Sequence, residues 1–259
     1  MKRCILLFAA AVSWCSLSVV TRAQIPVPPP PPVPVPAPGQ TLEYVILTGG
    51  PSLEVWEKYK QAPHDKFWGS FVRASRTRIQ QLQSQPGIKD NPNAIITWMV
   101  YMEGYRERSK QDKQDLVTNV LSVRDKYKVH MVPIANGRDV INYFNNGQPR
   151  GSVKIASFEF YGHSNRACFM FDYSSNIDSA SKSFLHEDEL AQLRRDLFVR
   201  NAFIKSWGCH TGESMSKKWR DATGTKMIGA IGRTDFSNRD EASNGIVPVL
   251  SSADGKWVQ

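Results

Sequence analysis

Apolar residues follow two alternating rhythms along the chain. Largely apolar runs of strand length at residues 44–47, 94–101, 129–134, 153–161, 202–207 and 226–231 are separated by stretches whose apolar residues recur three and four apart. Val55, Trp56 and Tyr59 have that helical spacing. Residues 67–82 put Phe71, Ser75, Ile79 and Leu82 on one face and Arg73, Arg76 and Arg78 towards solvent, and stop at Pro86-Gly87. Residues 112–127 carry a stripe of Leu116, Val117, Val120, Leu121 and Val123, and a shorter helix carries Val140, Ile141 and Phe144. Residues 187–198 and 213–221 read as two more helices, the second closed by Gly224, and residues 167–173 as a hairpin strand. Strands separated by helices predict an α/β fold, a three-layer α/β/α domain with a mostly parallel sheet.

The first forty residues break this pattern. Lys2 and Arg3 precede an apolar stretch at 4–20, and Thr21-Arg22-Ala23 ends it on a small residue, so residues 1–23 read as a secretory signal peptide and the protein as secreted or periplasmic. A membrane anchor, the alternative, needs about 20 strongly apolar residues, and Ser13, Ser16 and Ser18 interrupt this run. Residues 24–40 form a Pro-rich linker. Nine of the fifteen residues 25–39 are Pro, which demands an extended polyproline conformation of roughly 45 Å. Such a spacer can hold a domain off an envelope or cell surface. Residues 41–259 then form one domain.

Composition narrows the function. A chain of 259 residues, 41% hydrophobic and 22% charged, is neither a fibre nor a polytopic membrane protein. Its net charge of +9 drops to +6 without Lys2, Arg3 and Arg22, too mild for a nucleic-acid partner to be expected. Loss of the signal peptide also removes Cys4 and Cys15. Cys168 and Cys209 remain, either as one disulfide or with at least one kept as a reactive thiol.

In parallel α/β sheets, chemistry gathers at the carboxyl ends of the strands. One strand runs into Gly162-His163-Ser164 and another into Gly208-Cys209-His210-Thr211-Gly212-Glu213. If the two strands lie close, His163 and Cys209 emerge at one edge as an imidazole and a thiol nucleophile. The helix N-terminus near Glu213 would favour the thiolate. Backbone N–H groups at Gly162, Ser164 and Gly208 could hold an oxyanion.

This arrangement resembles the caspase-like (clan CD) cysteine peptidases, including the legumain-like, gingipain-like and CHAT subgroups. The Gly-Cys-His-Thr-Gly-Glu stretch is similar to the Ala-Cys-x-Thr-Gly pattern of CHAT domains, and His163 precedes Cys209 by 46 residues. The resemblance spans residues 42–235 and implies an exported endopeptidase acting on a protein or peptide through a His163–Cys209 dyad, with no cofactor and no metal. Three residues depart from the family pattern. Ser164 follows the His where Gly is usual, Gly208 stands where Ala is common, and Lys205 interrupts the strand before Cys209.

Further residues take secondary roles. Asp172, His210 and Asp235 could line a substrate pocket, an acidic one favouring a basic P1 side chain. His210 could also be a second acid or base, a metal ligand, or a loop residue pointing away. Cys168 reads as structural, and His64, His130 and His186 receive no role. Two other functions stay open. One is a serine-dependent α/β-hydrolase with Ser164 as nucleophile, Asp172 or Asp235 as orienter and His210 as base. The other is an inactive caspase-like binding module, which a Cys168–Cys209 disulfide would favour. Residues 243–259, with Trp257, form a last strand or a flap. Oligomeric state is not legible.

Overall fold

The computed structural model describes residues 32–52, 67–172, 182–237, 239–240 and 245–259. The expected signal peptide, the helical stretch at Val55, Trp56 and Tyr59, His64 and the end of the hairpin strand at Tyr173 lie outside the described residues. In chain order the elements begin with β1 (Thr41–Thr48), α1 (Ser70–Ser84), β2 (Ala94–Tyr101), α2 (Met102–Asp112), α3 (Leu116–Tyr127), β3 (His130–Ile134) and α4 (Gly137–Asn146). They continue with β4 (Val153–Tyr161), β5 (His163–Ser164), β6 (Cys168–Met170), β7 (Phe184–His186), a 3-10 helix (Glu187–Gln192) and β8 (Phe198–Ser206). The chain ends with α5 (Met215–Thr223), β9 (Gly229–Ile231), β10 (Thr234–Asp235), two short paired segments Arg239–Asp240 and Gly245–Ile246, β11 (Val249–Leu250) and β12 (Lys256–Val258).

The central sheet runs β3-β2-β1-β4-β8 with every pair parallel. Strands buried on both faces need no polar alternation, which is why β1, β2 and β4 stand out as apolar runs. Val45 and Leu47 join Ile141 and Phe144 of α4, Phe158 of β4 and Trp219 of α5 in one core cluster. Tyr44 and Ile46, pointing the opposite way, join Phe71 and Ile79 of α1, Tyr105 of α2 and Val120 of α3 in the other. The protein is therefore an α/β domain with helices on both faces of a parallel sheet. Aromatic contacts such as the Phe158–Trp219 stack, 5.2 Å between centroids, each add about 1 kcal/mol to simple burial. No helix among the described residues is long and apolar enough to cross a membrane.

Local chemistry sets several boundaries. Asn136 and Asp139 form a reciprocal capping box that starts α4, Asp115 caps α3 by accepting from Thr118 N, and Gly224, at φ 75°, ends α5. The end of the proline tract lies on the domain. Val33 is buried, Pro34 O accepts from Tyr44 Oη at 2.7 Å, and Val33 O accepts from Gln85 Nε2 at 3.2 Å.

Elsewhere the structure departs from the pattern of apolar spacing. The helix expected over 187–198 is only the 3-10 turn Glu187–Gln192, because the chain must already be extended at Leu197, whose carbonyl accepts from Ile155 N as β8 enters the sheet. Residues 102–112 form α2, which has no apolar stripe to announce it. Arg78 does not face solvent: it is buried and paired with Glu159. Glu43 is likewise buried within β1, where Arg150 binds it at 2.5 Å and Thr97 and Tyr143 donate to it. The strand expected over 226–231 narrows to β9, which pairs antiparallel with β12, so the tail carrying Trp257 is a strand. Ile228 still extends the main sheet, accepting from Ser206 N and donating to Ile204 O.

Candidate active site

The strand order reverses between β1 and β4: β2 and β3 lie beyond one and β8 beyond the other. Such a reversal opens a crevice at the carboxyl ends of the strands, where α/β proteins bind ligands. The strand ends are level there, Thr48 beside Tyr161 and Phe160 beside Ser206. Their continuations therefore emerge together: Gly49-Gly50-Pro51-Ser52 from β1, Gly162-His163 from β4, and Trp207-Gly208-Cys209 from β8. The two sequence-selected strand ends are adjacent, and β1 supplies a third that sequence reasoning did not select.

Ser52 is what the third strand end contributes. Its Oγ is hydrogen-bonded to His163 Nε2 at 2.9 Å, while Phe71 of α1 packs edge-on against the imidazole with centroids 4.8 Å apart. Phe236 in turn packs edge-on against Phe71. Arg108 of α2 donates to Ser52 O at 2.8 Å and pairs with Asp112, which fixes the loop carrying Ser52.

Ser164 and Gly208 join the β4 and β8 ends. Ser164 Oγ donates to Cys209 O at 2.7 Å. Gly208 lets that side chain in, since a Cβ at 208 would lie 2.1 Å from Ser164 Oγ. Asn165 N donates to Cys168 O in the β5–β6 hairpin, and the alternation of antiparallel bonds then turns Ser164 N–H away from β6. Gly208 N donates to Ser206 Oγ at 3.3 Å.

Thr234 of β10 surrounds the thiol. Its N–H lies 3.4 Å and its Oγ1 3.5 Å from Cys209 Sγ, and its carbonyl can accept from the S–H at 3.8 Å. Asp235, the expected pocket residue, caps its own loop, accepting from Ser237 N and Oγ at 2.8 and 2.7 Å. Asp172 is buried beside the Tyr101 phenol, whose pKa is pushed up to about 12 by burial first and by the Asp172 charge second.

His210 is a loop residue at φ 61°, an uncommon backbone conformation for a side chain of this kind. Its Nδ1 pairs with Glu213 Oε1 at 2.6 Å, and its N–H donates to Gly232 O. That pairing holds the Glu213 carboxyl below the usual carboxylate range. Cys168 and Cys209 are not bonded to each other, so the disulfide expected as an alternative is not formed. Among the described residues no three His, Cys, Asp or Glu side chains are grouped as metal ligands. Ser52 and Thr234 were both missed: Ser52 was discoverable as the end of a third parallel strand, whereas nothing near Thr234 in the sequence marks it.

No family model, curated protein or solved structure matches the chain significantly. The site's own geometry therefore carries the functional argument.

Proposed function

We propose that the chain is an exported cysteine peptidase of caspase-like type, with Cys209 as nucleophile and His163 as acid–base partner. The observation that carries this reading is the placement of His163 and Cys209 on the adjacent, level ends of two parallel strands, the imidazole held by Ser52 and the thiol by Thr234. A peptide carbonyl entering the crevice would meet the sulfur with backbone N–H groups at Ser164 and Cys209 near the developing oxyanion. Cys209 S⁻ would add to the carbonyl carbon, and the His163 imidazolium would protonate the departing amine, leaving an acyl-enzyme. Water would then add to the thioester carbonyl, giving its proton to His163 and releasing the carboxylic acid and the thiolate.

The Ser164 reading is weaker, since that hydroxyl is engaged in holding Cys209 O. Nor is the inactive-module reading supported by a disulfide. The Pro-rich segment and the apolar N-terminus support export, with a peptide or protein as substrate. Cys168 gives the test an internal control. Its thiol is pushed up to about 11 by burial, then by Glu187 and Glu189, so it is almost wholly protonated near neutrality. An electrophilic peptide probe at pH 7 should label Cys209 and spare Cys168, and Cys209→Ala should abolish both labelling and cleavage of a peptide library. Cleavage that survives Cys209→Ala rejects the proposal.

A further inference from the structure

Thr234 stands out because one residue presents three polar atoms to one sulfur: an N–H at 3.4 Å, a hydroxyl at 3.5 Å and a carbonyl at 3.8 Å. Only the carbonyl needs the S–H; the N–H, and the hydroxyl once turned, donate to the thiolate. Hydrogen bonds to the charged form of a group favour that form. Thr234 is itself almost fully buried, so its hydroxyl exchanges little with water and is oriented by the fold. Two connections hold it there. β10 pairs with β11, and the loop after Cys209 is bonded to the strand that leads into β10, through His210 N to Gly232 O and Gly212 N to Ala230 O.

We infer that Thr234 is a positioning residue that holds Cys209 as a thiolate, its hydroxyl and backbone N–H doing for the sulfur what Ser52 does for the imidazole. The inference rests on reading Cys209 as the nucleophile but concerns the thiol's acidity, so it can be measured without a substrate. The charged and ionisable groups around this strand end include His163 on β5, His210 and Glu213 in the loop after β8, Arg166, whose charge acts on Glu213, and Arg233 and Asp235 on either side of Thr234. All are unchanged in the test variants, so a difference in titration reports Thr234.

The test follows thiol–disulfide exchange of the full chain with dithiodipyridine from pH 5 to pH 10, using peptide mass spectrometry to assign the Cys209 adduct. In this exchange Cys209 S⁻ attacks one sulfur, the pyridyl disulfide bond breaks, and pyridinethiolate leaves. Thr234→Val keeps the shape and removes the hydroxyl. Loss of one charge-assisted hydrogen bond should raise the Cys209 pKa by about 1. Because a more basic thiolate is also a better nucleophile, the variant should react about threefold slower at the acid end and about threefold faster at the alkaline end. Thr234→Ser should restore the wild-type profile. Such crossing curves are not expected from loosened packing, which would change the rate in one direction at every pH.

Superimposable wild-type and Thr234→Val profiles would overturn the inference, as would a Thr234→Ser profile that follows Thr234→Val. If Thr234→Val does not fold by circular dichroism, Thr234→Ala, which removes atoms and introduces no clash, takes its place with the same expected crossing. Peptide cleavage is measured in parallel. Crossing curves without wild-type cleavage reject the peptidase and leave the Thr234 assignment standing.

Discussion

Gly208 and Ser164 make a paired prediction, because each residue explains the other. Gly208 is not among the glycines with positive φ, so its backbone conformation does not require glycine; the space around it does. A Cβ built at 208 would lie 2.1 Å from Ser164 Oγ, 2.9 Å from Ser164 Cβ and 3.0 Å from Gly162 O. Gly208→Ala therefore forces the Ser164 hydroxyl out of its rotamer and away from Cys209 O. The lost hydrogen bond costs about 1 kcal/mol. Residual overpacking adds about 1–2 kcal/mol. The combined loss of about 2–3 kcal/mol should lower the melting temperature of a domain of this size by about 5–10 °C. Ser164→Gly alone should cost about 1–2 kcal/mol, through the hydrogen bond and the added freedom of the unfolded chain. The double variant Ser164→Gly, Gly208→Ala loses both clashes with the Ser164 side chain and keeps only the tight contact with Gly162 O, so it should melt above Gly208→Ala despite carrying one more substitution. Thermal melts of the four proteins form a double-mutant cycle with an expected favourable coupling of at least about 1 kcal/mol. Simple additivity, or a Gly208→Ala protein as stable as wild type, refutes the steric argument.

Two further predictions concern buried charges. Lys205 is buried with its ammonium over the rings of Trp207 and Trp257, 3.4 and 3.8 Å from the centroids, and burial pushes its pKa down to about 8. Above that pH the native state has lost a proton that the unfolded chain still binds, so stability should rise from pH 8 towards pH 10. Lys205→Met should remove that slope and gain about 2 kcal/mol at pH 7 in urea unfolding, and an unchanged slope would place the titration elsewhere. Among the described residues, Arg78→Met leaves the buried Glu159 carboxylate with hydrogen bonds from Tyr161 Oη and Trp207 Nε1, each at 3.0 Å, and with no ion-pair partner in direct contact. It should cost about 3–5 kcal/mol in denaturant unfolding. A solvent-facing arginine, as helical spacing alone suggests, would cost less than about 0.5 kcal/mol.

Much of the architecture was legible where burial is uniform. β2 and β4 have the bounds their largely apolar runs predict, because a strand covered on both faces needs no polar alternation, and in β4 the apolar residues on either side carry the pattern past Lys154, Ser157 and Glu159. β1 was read too short because Glu43 interrupts it, and the residue that makes Glu43 tolerable, Arg150, lies 107 residues away. The leucines at 190, 193 and 197 have helical spacing, yet Leu193 is extended and Leu197 already bonds to the sheet, so tertiary pairing overrides local periodicity. At the site, His163 and Cys209 were legible as the residues that follow apolar strands. Their supports were not. Thr234 lies 25 residues beyond Cys209 and reaches it only through the folding of β9 and β10. Lys205 looked like a break in a strand, and its burial depends on two tryptophans, one of them near the chain's end.

The support for His163 also runs through an element that looked uninformative. α2 reads as polar on every side, with exposed pairs Glu103–Arg106 and Glu107–Lys110. Yet Tyr105 and Arg108 on its buried side hold the loop after β1 at two points, Tyr105 Oη donating to Gly49 O at 2.8 Å and Arg108 donating to Ser52 O. Close packing lets the helix reach that loop. A Cβ at Gly104 would lie 2.8 Å from Gly50 Cα, and one at Gly50 would lie 2.8 Å from Phe171 O. Gly50 and Gly104 therefore let β1's continuation thread between α2 and the chain after β6, which puts Ser52 in reach of the imidazole. The ring that would carry the proton is thus oriented by a serine, the serine by an arginine, and the arginine's helix by the absence of side chains at two glycines. Enlarging Gly104 would be expected to disturb His163 without touching it, because the geometry of the site is held by backbone contacts at the switch in strand order.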